Sequence, residues 1–144
     1  MVVHHADAWN GLKAFVPPKE NRGLVLIDPP FEKRDEFEQI ATALGRSLKH
    51  WRNGIYMVWY PIKARQPVEA LHAEVRALSS EALAVELLTL PEDVPQRLNG
   101  SGVILINPPW KIEETLRSQL PRLAAFLSGE KGKPQLHFVN LSVP

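Results

Sequence analysis

At 144 residues, 44% hydrophobic and 23% charged, the chain has the length and composition of one globular domain with its own core, which excludes a disordered or fibrous protein. Seventeen basic against sixteen acidic side chains leave a formal net charge of +1, so overall charge does not draw the chain to nucleic acid, and such a partner would need a local basic patch. The lack of cysteine excludes disulfides and thiolate metal sites, and no apolar run approaches the roughly 20 residues of a membrane span.

The N-terminus lacks the basic, then apolar, then small-residue order of a secretory signal, so a cytoplasmic protein without a membrane partner is expected. Val2–His4 reads as the stub of a strand. Of the five histidines only His4 and His5 adjoin, and neighbouring strand residues point to opposite faces, so they are not expected to share a metal. Ala8–Phe15 reads as a short helix stopped by Pro17-Pro18. Gly23–Ile27 is a continuous apolar run of the kind that suits a strand buried on both faces. Asp35–Trp51 places Phe37, Ile40, Leu44, Leu48 and Trp51 at helical spacing, and Asn53-Gly54 closes it. Ile55–Tyr60 is a second strand rich in β-forming residues. Pro67 opens a helix with Val68, Leu71, Val75 and Leu78 on one face. Leu83–Leu90 is a third strand, the turn-rich Pro91–Gly100 leads to a fourth, Gly102–Ile106, and Ile112–Leu127 is a helix with an expected break at Pro121. Gln135–Leu141 is the last strand. Strands alternating with helices predict one α/β domain over residues 1–144 with a mostly parallel sheet. The shortness of Pro91–Gly100 predicts an antiparallel hairpin within it.

Thirteen prolines are many for this length, and two of the three Pro-Pro pairs end strands. Asp28-Pro29-Pro30-Phe31 directly follows the strand Gly23–Ile27, at a carboxyl end where α/β sheets place active sites. These residue types suit chemistry on an aromatic amine such as adenine N6, a poor nucleophile because its lone pair is delocalised into the ring. Two acceptors taking its two hydrogens free the lone pair. The Asp28 carboxylate is one candidate and the Pro29 carbonyl the other. Consecutive prolines make a stiff backbone without N–H donors, and Phe31 offers a flat face for a flipped base, worth roughly 1–3 kcal/mol of stacking. Catalysis would then rest on positioning more than on acid–base exchange. The alternative role is a turn whose prolines stop the strand.

Asn107-Pro108-Pro109-Trp110 fits the same pattern after the strand Gly102–Ile106. In the expected hairpin that strand runs antiparallel and carries its motif to the opposite end of the sheet, which assigns the second copy a structural part.

The segments RGLVLIDPPFE, YMVWYPI and SGVILINPPWKIEETL, in that order, resemble the RlmJ family of bacterial methyltransferases, from about Val3 to the end of the chain. The family methylates an adenine N6 in large-subunit ribosomal RNA, and also carries an older label referring to the use of external DNA. The resemblance implies a Rossmann-like class I methyltransferase fold, S-adenosyl-L-methionine (SAM) as methyl donor and ribosomal RNA as partner. It matches Asp28, Pro29, Pro30 and Phe31 to the catalytic motif, where the family usually has Tyr in the last place. It matches Asp7 to the acid that contacts the SAM adenine, and Asp7 also reads as a helix N-cap. The resemblance covers only a C-terminal half. The Gly-rich SAM loop belongs to the other half, so this chain alone is expected to be inactive and to bind SAM weakly or not at all. DNA adenine methylation and a non-catalytic nucleic-acid-binding domain stand as alternatives.

Tyr60 and Trp59, at the end of the second strand, are candidates for walls of the base pocket, with core packing the other reading for Trp59. Lys33, Arg34, Lys63, Arg65 and Lys111 follow strand ends and are candidate RNA contacts, Lys33 and Arg65 foremost, or else a solvated rim. A sheet edge left open by strands that are not present would favour self-association.

Overall fold

The computed structural model describes residues 2–33, 35–92, 94, 97–128 and 133–143. Its elements are α1 (Ala8–Phe15), β1 (Leu24–Ile27), α2 (Glu36–His50), β2 (Ile55–Ile62), α3 (Arg65–Leu78), β3 (Ala82–Leu88), β4 (Gly100–Ile106), α4 (Ile112–Ser128) and β5 (Gln135–Asn140). Arg34, and Asp93, Pro95 and Gln96 of the turn-rich segment, lie outside the described residues. Val2–His4 forms no strand and is exposed chain.

The strands form a single sheet in the order β1-β2-β4-β3-β5. β1 and β2 pair in parallel, Ile27 opposite Val58, while β4 pairs antiparallel with both β2 and β3, and β5 antiparallel with β3. The expectation of a mostly parallel sheet is therefore corrected. The α3 crossover does bring β3 back in the same direction as β2, but β4 turns through the β3–β4 hairpin and inserts between them. A continuous apolar run leaves the neighbour unnamed, and in β1 the expected burial on both faces is corrected too: Leu24 and Leu26 are exposed, and Ile27 alone of the strand is buried. The hairpin itself is present, tied by Thr89 N–H donating to the Asn99 carbonyl at 3.0 Å.

α2 and α3 cover one face of the sheet. Ile40, Leu44 and Leu48 from α2 and Val68, Leu71 and Val75 from α3 pack on Tyr56, Val58, Tyr60 and Ile62 of β2 and on Ala84, Leu88, Ile104 and Ile106 beyond it. Each fully buried aliphatic side chain contributes about 1.5–3 kcal/mol. Gly102 stands opposite Tyr60 in the β2–β4 register, and a Cβ there would run into the Tyr60 ring, so the close approach requires glycine. The Tyr56 hydroxyl donates to the Trp51 carbonyl at 3.1 Å, and burial pushes its pKa up to about 12. α4 runs without a break through Pro121. Pro121 and Arg117 are both exposed, so water can take the Arg117 carbonyl that proline leaves without its helical donor.

Candidate active site at the carboxyl end of β1

β1 is an edge strand, and its last residue, Ile27, is its one buried position. The next residue precedes a proline, which biases it to extended backbone and continues the strand direction. Asp28 thus leaves the sheet exposed, level with Trp59 of β2. Neither the Asp28 carboxylate nor the Pro29 carbonyl is engaged in another hydrogen bond among the described residues. Both acceptors are free for a donor from outside.

Phe31 has a φ of 52°. That left-handed conformation is uncommon for a bulky residue and costs on the order of 1–3 kcal/mol unless its surroundings hold it. They do: the half-buried Phe31 ring lies 5.1 Å from that of Phe37 and 5.7 Å from that of Trp59, tilted and edge-on respectively. Trp59 therefore packs at the site's margin, against the motif's own aromatic.

Asp28, Pro29 and Pro30 line an open groove of about 880 Å³ between β1 and α1, and Asp7 lines it too. Asp7 caps α1, its Oδ1 accepting from the Asn10 N–H at 2.9 Å. The structure so brings together the Asp-Pro-Pro segment and the acid that sequence reasoning placed with it. The groove's other charged residues are Glu20, Arg22 and Glu36. Glu36 is 5% exposed and went unremarked in the sequence. The signal was there: the buried series Ile40, Leu44, Leu48 extends back by one step of four to Glu36.

The second motif lies elsewhere. Ile106 pairs with Tyr56 at the start of β2, so Asn107 emerges at the opposite end of the sheet from Asp28. The Asn107 Nδ2 donates to the carbonyls of Arg52 at 2.7 Å and Gly54 at 2.8 Å, clipping β4 to the turn before β2. Its backbone also differs. Here Asn107 and Lys111 have positive φ, 52° and 61°, where in the first motif it is the aromatic Phe31.

Tyr60 is not open to a substrate, which corrects its expected place in the base pocket. It is fully buried beneath α3, its hydroxyl 2.9 Å from Glu86 Oε1 and 2.9 Å from His72 Nε2. Period-2 alternation explains the difference: Trp59 points to one face, Tyr60 to the other. Burial, and behind it the Glu86 charge, raises the Tyr60 pKa, so the hydroxyl stays protonated and donates to Glu86. Arg65 is likewise committed. Its guanidinium donates to both Glu86 oxygens, at 2.9 and 2.8 Å, and pairs with Glu92. Burial works against the Arg65 charge, and the carboxylates of Glu92 and Glu86 outweigh it and raise the pKa. Two glutamates on one guanidinium leave a poor phosphate contact. The sequence signal for this cluster is Glu86, a charge within the apolar strand Ala82–Leu88. Lys33 and Lys63 are exposed, and Lys111 lies over the Trp110 ring at 4.4 Å, by the second motif.

A family model described as "Ribosomal RNA large subunit methyltransferase D, RlmJ" matches residues 1–140. The chain belongs to the RlmJ family. It is 37% identical over 122 residues to Ribosomal RNA large subunit methyltransferase J of Escherichia coli (strain K12), covering 84% of this chain and 44% of that protein. It is also 37% identical over 125 residues to the protein of that name from Haemophilus influenzae, covering 86% and 44%. Among solved structures, protein LPL1258 of Legionella pneumophila superposes with a TM-score of 0.83 at 28% identity, over 92% of this chain and 49% of that one. The chain thus spans under half the length of the RlmJ relatives it matches.

Proposed function

We propose that the chain carries the target-amine site of an RlmJ-type enzyme, which transfers a methyl group from SAM to the N6 of an adenine in large-subunit ribosomal RNA, in the cytoplasm. One observation carries this reading: two acceptors, the Asp28 carboxylate and the Pro29 carbonyl, stand free at the carboxyl end of β1 over a groove shared with Asp7. Together they would take the two hydrogens of the amine and release its lone pair, while Phe31 supports the base. The names of the curated relatives support ribosomal RNA as the substrate class, and Lys33, two residues beyond Phe31, is the exposed cation we assign to the RNA backbone.

The groove's lining suits SAM on this side. With Asp28 assigned to the amine, Asp7, Glu20 and Glu36 still outnumber Arg22 on its lining, which favours a ligand bearing positive charge. When bound, SAM supplies an electrophilic methyl group. Asp7 would contact its adenine, and Asp28 would hold the target amine in line. The glycines on this groove, Gly11 and Gly23, belong to a helix and to the approach of a strand, with no Gly-rich turn beside them among the described residues. The chain's own residues therefore account for one flank of a cofactor site.

The test uses the chain joined to the part of the E. coli relative that it does not cover, with SAM carrying a labelled methyl group. Unmodified large-subunit ribosomal RNA should gain N6-methyladenosine, and duplex DNA should gain none. Label in DNA alone would move the assignment to DNA adenine methylation, and label in neither would leave a binding domain.

A further inference from the structure

We infer that Glu36 is a positioning residue that holds the Asp28–Phe31 turn in its working shape, an inference that rests on the reading of this turn as the target-amine site. Glu36 opens α2 on the helix's buried face, in line with Ile40 and Leu44. A carboxylate on such a face is costly unless it is bonded. Its Oε2 accepts from the Lys33 N–H at 2.9 Å. Lys33 follows Phe31 by two residues, so the bond ties the outgoing end of the turn to the helix behind it. Phe37, the next residue of α2, grips the turn a second time through the Phe31 ring at 5.1 Å.

The turn needs this grip. Its prolines stiffen only the incoming side, and Phe31 sits at a φ of 52°, from which an untied chain would relax to negative φ. Relaxation at Phe31 would swing its ring, and the chain leading to Lys33, away from the Asp28 carboxylate and the Pro29 carbonyl, and the proposed chemistry requires the ring that supports the base to keep a fixed place relative to the two acceptors. Glu36 lines the groove together with Asp28, Pro29 and Pro30, so it is close enough to matter and acts through the backbone.

Amide hydrogen exchange on the 144-residue chain tests the clasp without needing turnover. Glu36→Leu keeps the helix and the buried volume and removes the acceptor. Glu36→Gln keeps an acceptor oxygen and removes the charge. The Lys33 amide should exchange about tenfold faster or more in Glu36→Leu, the loss expected for a hydrogen bond to a charged group. Amides of Val58 and Ile104 in the sheet should stay protected, and Glu36→Gln should restore most of the Lys33 protection. Unchanged Lys33 exchange in Glu36→Leu, or a Gln variant as fast as Leu, overturns the inference. Methyl transfer by the joined protein separates it from the reading beneath it. Turnover that survives Asp28→Ala sinks the site assignment and leaves the exchange result to decide the clasp. Turnover lost with Asp28→Ala yet indifferent to Glu36→Leu sinks the clasp alone.

Discussion

Phe31 does two jobs that its substitution should separate. Its ring is proposed to support the target base, and it also packs against Phe37 and Trp59. Phe31→Ala should weaken base capture by roughly 1–3 kcal/mol of lost stacking, read as a raised KM for RNA. It should also lower Tm, because the aromatic cluster loses its centre. Phe31→Tyr should keep both, since the edge of the ring is all that changes. A Phe31→Ala protein with unaltered KM and lower Tm would mark the ring as packing only. His72 offers a second residue-scale test, through pH. Burial lowers its pKa below the ordinary histidine value of about 6.5, against the pull of Glu86. The unfolded chain therefore binds the proton more readily, so stability is full above that value and falls as pH drops from it toward the folded pKa. Tm should decline on acidification from pH 7 to pH 5, and the decline should be shallower in His72→Gln. An equal slope in both proteins would place the sensitivity elsewhere. Asp28-Pro29-Pro30-Phe31 stands out in the sequence as a candidate site because an acid, two prolines and an aromatic coincide at a strand end, and the structure does place the segment at the carboxyl end of β1. Tyr60 was misread because a motif gives chain position, whereas the face a side chain takes depends on strand phase.

The helices and strands themselves were legible wherever period and punctuation agreed. α1 matches its reading end for end, and α2 and β2 match within two residues. Pro121 misled because proline's penalty of about 3 kcal/mol was charged without regard to which side of α4 it lies on. Pairing was the less legible property. The β3–β4 hairpin could be read from its short turn, but β4 lying between β2 and β3 could not, since no local signal names a strand's far neighbour. β1 makes an element-scale prediction. Its outer edge pairs with no strand among the described residues, and Leu24 and Leu26 are 59% and 61% exposed. Such an edge is a template for another strand. Sedimentation velocity should show concentration-dependent association of the 144-residue chain, and Leu26→Lys should shift it to monomer. A wild-type chain monomeric at high concentration would show that the edge is protected in some other way.

At the scale of the whole molecule, the sheet sorts two nearly identical motifs to opposite ends. Parallel β1 brings Asp28 to the carboxyl end, beside Trp59 and a groove that also holds Asp7. Antiparallel β4 carries Asn107 to the other end, where its amide clips the Arg52–Gly54 turn. Composition gave no hint of this division, and a net charge of +1 gives little general attraction to RNA. The reading therefore rests on the geometry of one strand end and on membership of the RlmJ family. It is tested most directly by methyl transfer to unmodified large-subunit ribosomal RNA, using the chain joined to the part of the E. coli relative that it does not cover. Asp28→Ala should lower the rate by about 10²–10³ or more, the usual cost of removing one preorganised polar partner of a reacting group. Binding of SAM should be nearly unchanged, and Asn107→Ala should stay within a fewfold of wild type so long as it remains folded. Turnover lost with Asn107→Ala and kept with Asp28→Ala would mean that the two Pro-Pro motifs have been assigned the wrong way round.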